Sequence, residues 1–308
     1  MSTQIPSQYI LQYEDEMRLA FQFDGSKLRN RVRNSTHIGA GASPADYVGP
    51  MLANYNPSRL APTPNNNATV TRRWVFPQYF DNGVDIAQQD LTRVFNGGQL
   101  QTGYAEAQGK AMGRAVDDII LQSMGATATT GINAGSTTAF TTGNKIADTF
   151  GAAAATGLNV AKLIEGKRIL QSNGVDIERE KLYCGINSSE HSFLLKQIEI
   201  RSREYNDKYE LVDGYLQNYL GINFVHIEYQ NSTYYPLSAV ANVSGSDNLC
   251  YLWAESAMYL GEWKPITLRA SERPDLSYAW QMYTFADMGA TRLQELGIVQ
   301  IANLATAS

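Results

Sequence analysis

Long hydrophobic runs are missing from this chain. No stretch of eighteen apolar residues occurs, so no segment reads as a membrane-spanning helix, although apolar residues make up 44% of the total. Residues 1–20 are polar and include Glu14, Asp15 and Glu16, which leaves no apolar centre for a secretory signal. Cysteine is scarce: Cys184 and Cys250 are the two among 308 residues, and they lie far apart. They read as buried free thiols of a cytosolic protein, with a disulfide as the minor alternative. The sequons at Asn67 and Asn231 then carry no expected glycan. An excess of positive charge is lacking as well. The formal net charge is −5, whereas a general nucleic-acid binder is normally basic, so duplex binding does not fit as the main task.

Signatures of chemistry are equally sparse. His37, His191 and His226 are widely spaced, and none has a second ligand at helical offset, so no metal site is assigned. GYAEAQGKA at 103–111 resembles a phosphate loop only superficially. It has one residue too many between its glycines, and Ala111 stands where Ser or Thr is required. HIGAGAS at 37–43 lacks the preceding strand and the glycine spacing of a dinucleotide turn, and no Gly-x-Ser-x-Gly elbow is present. Asp117 and Asp118 are adjacent on a helical pattern and so do not face each other as a catalytic dyad would. They read either as surface partners of Arg114 or as part of a contact between subunits. No catalytic residue and no cofactor site is assigned, and the chain is not read as an enzyme.

What the chain does have is one long helical pattern between Asp85 and Gly125. Tyr104, Ala107, Ala111, Ala115 and Ile119 recur at helical spacing, and Met112, Val116 and Ile120 widen the stripe. From Leu100 to Met124 such a helix is about 37 Å long. Before it, residues 1–34 read as an arm ending in a basic cluster of Lys27, Arg29, Arg31 and Arg33, either a solvated face or a segment lying on an acidic neighbour. Residues 35–84 are punctuated by Gly39, Gly41, Gly49, Pro44, Pro50, Pro57, Pro62 and Pro64. Then ATVTRRWVFPQYF alternates as a strand, with Val70, Arg72, Trp74 and Phe76 on one side and Thr71, Arg73 and Val75 on the other. A stretch of this length is too long for a connecting loop, so it reads as a projection. It carries Tyr47, Met51, Leu52, Tyr55, Leu60, Trp74, Phe76, Tyr79 and Phe80, apolar groups that call for a partner to cover them.

After the long helix, the Gly/Ala/Thr-rich residues 126–157 read as a boundary or surface loop. LNVAKLIEGKRILQSNGV is a helix with Asn159 as N-cap and Gly174 as its stop. KLYCGIN is a strand, SSEHSFLLKQI a second helix capped by Ser188 or Ser189, and GINFVHIEY a further strand. This alternation predicts a small α/β domain over 158–263. The remainder is strand-rich, with Leu268 and Ala270, then Trp280, Met282 and Tyr283, then Ile298, Val299 and Ile301 expected to pack back near the long helix.

Four segments in this order resemble the major capsid proteins of tailed bacteriophages, of the Hong Kong 97-type fold. They are DNGVDIAQQDLTR leading to GRAVDDIIL, LNVAKLIEGKRILQSNGVDIEREKLYCGINSSEHSFLL, YELVDGYLQNYLGINFVHIEY, and the terminal ITLRASERPDLSYAWQMYTFADMGATRLQELGIVQI. The resemblance implies an α+β fold. Residues 1–34 would be the N-terminal arm, 35–84 the extended loop, 85–157 a peripheral domain built on the spine helix, 158–263 the axial domain, and 264–308 the return strands of the peripheral domain. It also implies a virion location, assembly in the bacterial host cytoplasm, and hexamers and pentamers closing into an icosahedral shell around double-stranded DNA held without sequence-specific contacts. The implied partners are many copies of the chain, a portal and, since the arm starts near Met1, either a separate scaffolding protein or a scaffold segment already cleaved away, the initiator Met favouring the former; a decoration protein is an optional addition, and no membrane takes part. An encapsulin-like nanocompartment shell and a homo-oligomeric cytosolic enzyme are the alternatives. Arg72, Arg73, Trp74, Phe76, Arg114, Asp117 and Asp118 are the residues expected at subunit contacts, the aromatics as buried anchors. Some members of the fold weld subunits through an extended-loop lysine, yet no lysine occurs between Lys27 and Lys110. Assembled particles boiled in denaturant should therefore run as single chains on a gel; a non-reducible ladder of multimers would contradict this.

Overall fold

The computed structural model describes residues 25–49, 51, 53, 55, 70–89, 97–197, 215–241, 243–244 and 247–305. Among them, a 3-10 turn at Arg29–Arg31 precedes β1 (Arg33–Thr36), β2 (Ala42–Val48), β3 (Val70–Val75) and β4 (Gln78–Ile86). Then come α1 (Gly97–Gly125), β5 (Ala128–Thr130), β6 (Ser136–Thr138), β7 (Lys145–Ile146), α2 (Val160–Ser172), β8 (Leu182–Ile186) and α3 (Ser188–Lys196). The remainder is β9 (Asn218–Tyr219), β10 (Ile222–His226), α4 (Pro236–Ala241), β11 (Val243–Ser244), β12 (Asp247–Ala254), β13 (Met258–Arg273), β14 (Ala279–Arg292) and β15 (Ile298–Leu304). The strands form three sheets, ordered β1-β13-β14-β4, β7-β15-β12-β8-β10-β9 with β11 on β12, and β2-β3-β5-β6.

The long helix is α1, with 29 residues, about 43 Å at 1.5 Å per residue. Met112, Val116, Ile119, Ile120, Leu121 and Met124 are buried in the main core, while Tyr104, Ala107, Ala111 and Ala115 are half-buried. The deeper face is therefore the one the sequence reading treated as the margin of the stripe. Gln108 is buried as well, because its Nε2 donates to the Met282 carbonyl (3.0 Å) and its Oε1 accepts from the Thr284 hydroxyl (3.0 Å).

β13 and β14 form a long antiparallel hairpin with irregular register between Glu262 and Lys264 and between Lys264 and Thr267. Pro265 lies in that interval and has no N–H to give the ladder, so the strand must bulge there. At the tip, Ser277 and Tyr278 both adopt left-handed backbone, with φ of 52° and 55°.

In the seven-stranded sheet, parallel β8 and β10 lie beside antiparallel β12 and β15. Asn159 caps α2, its side chain accepting from Lys162 N at 2.8 Å, and Gly174 ends the segment at φ +86°, both as the sequence predicts. The cap of α3 is Asn187 rather than Ser188 or Ser189. Asn187 and Glu190 form a reciprocal capping box, which a serine one residue later cannot make. A second difference concerns the end of the chain. β15 does not join the sheet of β13 and β14; it pairs with β12 from Asp247↔Leu304 to Trp253↔Ile298 and with β7 on its other side. The three short strands β5, β6 and β7 occupy the stretch read from composition as loop.

A buried polar network ties this sheet to its helices. Lys162 Nζ donates to the carbonyls of Thr156 (2.8 Å), Ala302 (2.9 Å) and Gly157 (3.2 Å) and to Asn303 Oδ1 (3.3 Å). Asn303 Nδ2 in turn donates to Glu190 Oε1 (3.0 Å), which also accepts from the Tyr229 hydroxyl (2.7 Å). Burial lowers the Lys162 pKa and raises that of Glu190. Lys162→Met removes the four hydrogen bonds of the buried ammonium and should cost roughly 2–4 kcal/mol, read as a lower urea midpoint. Arg168→Ala, on the exposed face of the same helix, should leave the midpoint unchanged; equal effects of the two would refute the keystone role of Lys162.

Candidate assembly site

The sheet β2-β3-β5-β6 meets the sheet of β13 and β14 at β3, and the period of the strand sorts its side chains. Arg72 faces out and grips Asp46 of β2 as a fork, Nε to Oδ1 at 2.6 Å and Nη2 to Oδ2 at 2.8 Å. That fork holds the Asp46 carboxyl below its usual range. Arg73 faces in. Its Nε donates to the Leu293 carbonyl at 3.1 Å and its Nη2 pairs with Glu295, both side chains being buried. Trp74 Nε1 donates to the Gly131 carbonyl at 2.7 Å, and Val75 is buried with Tyr259 and Leu293. One strand thus ties β2, the β5–β6 turn and the β14–β15 connection together.

Phe76 turns the chain from β3 into β4 and stays 46% exposed. Its backbone crosses Gly289 of β14 so closely that a Cβ there would lie 2.1 Å from the Phe76 oxygen. The ring lies over Gly41, where a Cβ would sit 3.0 Å from Cε1. Between β3 and the β5–β6 turn, a groove of about 500 Å³ is lined by Val70, Thr71, Arg72, Thr130, Ile132 and Ser136. Ile132 is 79% exposed, and Met51 and Tyr55 are 59% and 90% exposed. Of the other apolar residues expected to need cover, Tyr79 is exposed, while Trp74 and Phe80 are half-buried. Leu52 and Leu60 lie outside the described residues, and so does the Tyr47 side chain.

The expected contact residues on α1 are placed differently. Asp117 is fully buried and accepts from Ser26 Oγ (2.6 Å), Lys27 N (2.8 Å) and Leu28 N (2.9 Å). Burial raises its pKa, and those three donors pull it back. Gly113, one turn earlier, lets the arm approach: a Cβ there would lie 2.6 Å from the Gly25 backbone. Asp118 points elsewhere and caps α4, accepting from Leu237 N (2.9 Å) and Ser238 N (2.7 Å). Arg114 is buried with its guanidinium over the Tyr234 ring, 5.1 Å from the centroid. Arg73, Arg114, Asp117 and Asp118 are each buried and engaged by their own chain, so within the subunit they act as fasteners. Trp74 has likewise given its N–H to its own chain. Arg72 and Phe76 are the expected residues that remain outward.

Among the described residues, no group of three His, Cys, Asp or Glu side chains could hold a metal ion, and no helix is long and apolar enough to cross a membrane. Cys184 and Cys250 are free and buried. The Glu295 partner of Arg73 and the segments held by Asp117 and Asp118 were not foreseen. Only the Asn187-x-x-Glu190 capping box carried a local signal that would have been readable.

Arg73→Ala leaves Glu295 buried without its cation and should destabilise the subunit by roughly 3 kcal/mol. Hydrogen exchange should show the loss concentrated in β3 and β5; exchange unchanged there would rule out the anchoring role.

A family model described as phage capsid protein matches residues 5–305. No curated protein sequence matches. The structure is similar to the capsid of the cyanophage P-SCSP1u, with a TM-score of 0.72, 15% identity, and 99% of this chain and 96% of that chain covered. It is also similar to the capsid of cyanophage Pam1 (TM-score 0.71, 12% identity, 97% and 98% covered) and to the head of the Helicobacter pylori bacteriophage KHP40 (0.69, 12%, 99% and 100%). The family match over nearly the whole length and the full-length likeness in fold agree, and the chain belongs to the phage capsid protein family.

Proposed function

We propose that this chain forms hexamers and pentamers that close into the icosahedral head of a tailed phage, with double-stranded DNA enclosed and not read by sequence. A portal and a scaffolding protein are its partners during assembly, with the bacterial cytoplasm as the place of assembly. Its role is structural and not catalytic. The observation that carries the reading is the β2-β3-β5-β6 sheet, which Arg73 and Trp74 anchor and which leaves Phe76 after β3, Ile132 in the β5–β6 turn, and Met51 and Tyr55 beyond β2 exposed. Apolar surface on a firm support suits repeated contact with another copy. A head-to-tail contact closes into rings when its rotation permits, and many modest contacts acting together hold a shell. The net charge of −5 fits a container for DNA, since strong phosphate binding would oppose filling and release.

Electron microscopy and sedimentation of the purified assembly test this. Closed icosahedral particles are expected; small oligomers or tubes as the end state would overturn the proposal. Ile132→Asp and Phe76→Ser should reduce particle yield at least about tenfold while the circular dichroism of the subunit stays unchanged, since each removes outward apolar surface. Full particle yield from both variants would remove this surface from the assembly interface.

A further inference from the structure

His191 and His226 are far apart in sequence, yet their rings meet edge to face with centroids 4.7 Å apart. His191 lies on α3 and His226 ends β10. Between them passes Leu216, whose side chain is 1% exposed and belongs to the main core. The two rings hold the two polar groups of this one residue. Leu216 N donates to His191 Nε2 at 3.4 Å, and the Leu216 carbonyl lies 3.0 Å from His226 Nε2. Tyr215 covers the pair from outside, its ring 4.2 Å from that of His226 and 6.3 Å from that of His191.

This geometry fixes the protons. Nε2 of His191 accepts an N–H, so it carries no hydrogen, and the ring is the neutral Nδ1–H form. Nε2 of His226 faces a carbonyl, so it carries one. His226 can gain a second proton and keep its bond. His191 cannot: a proton on Nε2 would set two N–H groups against each other.

We infer that the two histidines form an acid-operated clasp on Leu216, closed while His191 is neutral and opened when His191 takes up a proton. Opening frees the chain leading into β9 and β10, where Gln217 O accepts from Phe224 N at 2.9 Å.

The surroundings set the direction. Among the described residues, the titratable group that acts on His191 is His226. Around His226 stand Lys27 and Arg31, which disfavour its protonation, and Glu228, which favours it. Lys27 Nζ also donates to the His226 carbonyl at 2.8 Å, and Glu228 Oε1 accepts from Ser188 N at the start of α3. Burial first, then the second histidine, lowers the His191 pKa from its ordinary 6.5. The unfolded chain therefore takes up its proton first. Stability from the neutral ring is complete above that ordinary value and is lost as the pH falls below it.

Hydrogen exchange on the full chain tests the clasp. Protection of the Leu216 amide, corrected for the intrinsic effect of pH on exchange, should fall by about tenfold or more between roughly pH 7.5 and pH 5. In His191→Gln the side-chain carbonyl accepts from Leu216 at every pH, so protection should stay level. In His226→Gln the amide still donates to the carbonyl and His191 still titrates, so the fall should persist. A wild-type protein with no such fall, or an equal fall in His191→Gln, would overturn the proposal. Should His191→Gln fail to fold, nitrogen-15 spectra of the wild-type histidines decide: the Nδ1–H form of His191 at neutral pH is expected, and the Nε2–H form would refute it. Neither outcome bears on whether the chain builds a shell.

Discussion

Two neighbouring carboxylates on one helix hold this subunit together. Successive residues of an α-helix point about 100° apart, so Asp117 and Asp118 leave α1 in different directions although both are buried. Asp117 collects the hydroxyl of Ser26 and the backbone N–H groups of Lys27 and Leu28, and Asp118 collects those of Leu237 and Ser238. A buried carboxylate is tolerated only where several donors replace its water. Here the donors come from residues 26–28 and from the start of α4. The helix thus holds both segments against itself.

The projecting sheet depends on a second set of buried charges. Arg73 and Glu295 join β3 to the connection between β14 and β15, so the base of the projection is fixed to the body. Arg72, one residue earlier, pairs with Asp46 of the neighbouring strand in the same sheet. Inward fixing and outward stiffening therefore alternate along one strand. A virion structural protein has use for that division, because a contact surface on a loose support would lose in ordering what it gained in burial.

The sequence makes the local features legible and leaves the distant ones hidden. The spine helix announces itself through apolar spacing, α2 through Asn159 and Gly174, and β3 through its alternation, which puts Arg72 and Arg73 on opposite sides. Each of these is decided by residues a few positions apart. The partners of Asp117 and Asp118 lie some 90 and 120 positions away, and Glu295 lies 222 positions from Arg73, so no pattern connects them in advance. The position of β15 was misjudged for the same reason. Ile298, Val299 and Ile301 show that a strand is buried without showing which sheet buries it. Arg73, Arg114, Asp117 and Asp118 looked like surface groups because charge usually is exposed. Their burial follows from tertiary donors and acceptors that only the fold brings near.

The placement of β15 also bears on synthesis. This strand lies inside its sheet, between β7 and β12, and closes a surface begun by residues about 150 positions earlier. A chain emerging from the ribosome leaves that sheet open along an inner edge until residues 298–304 have appeared. Such late, non-local closure slows folding.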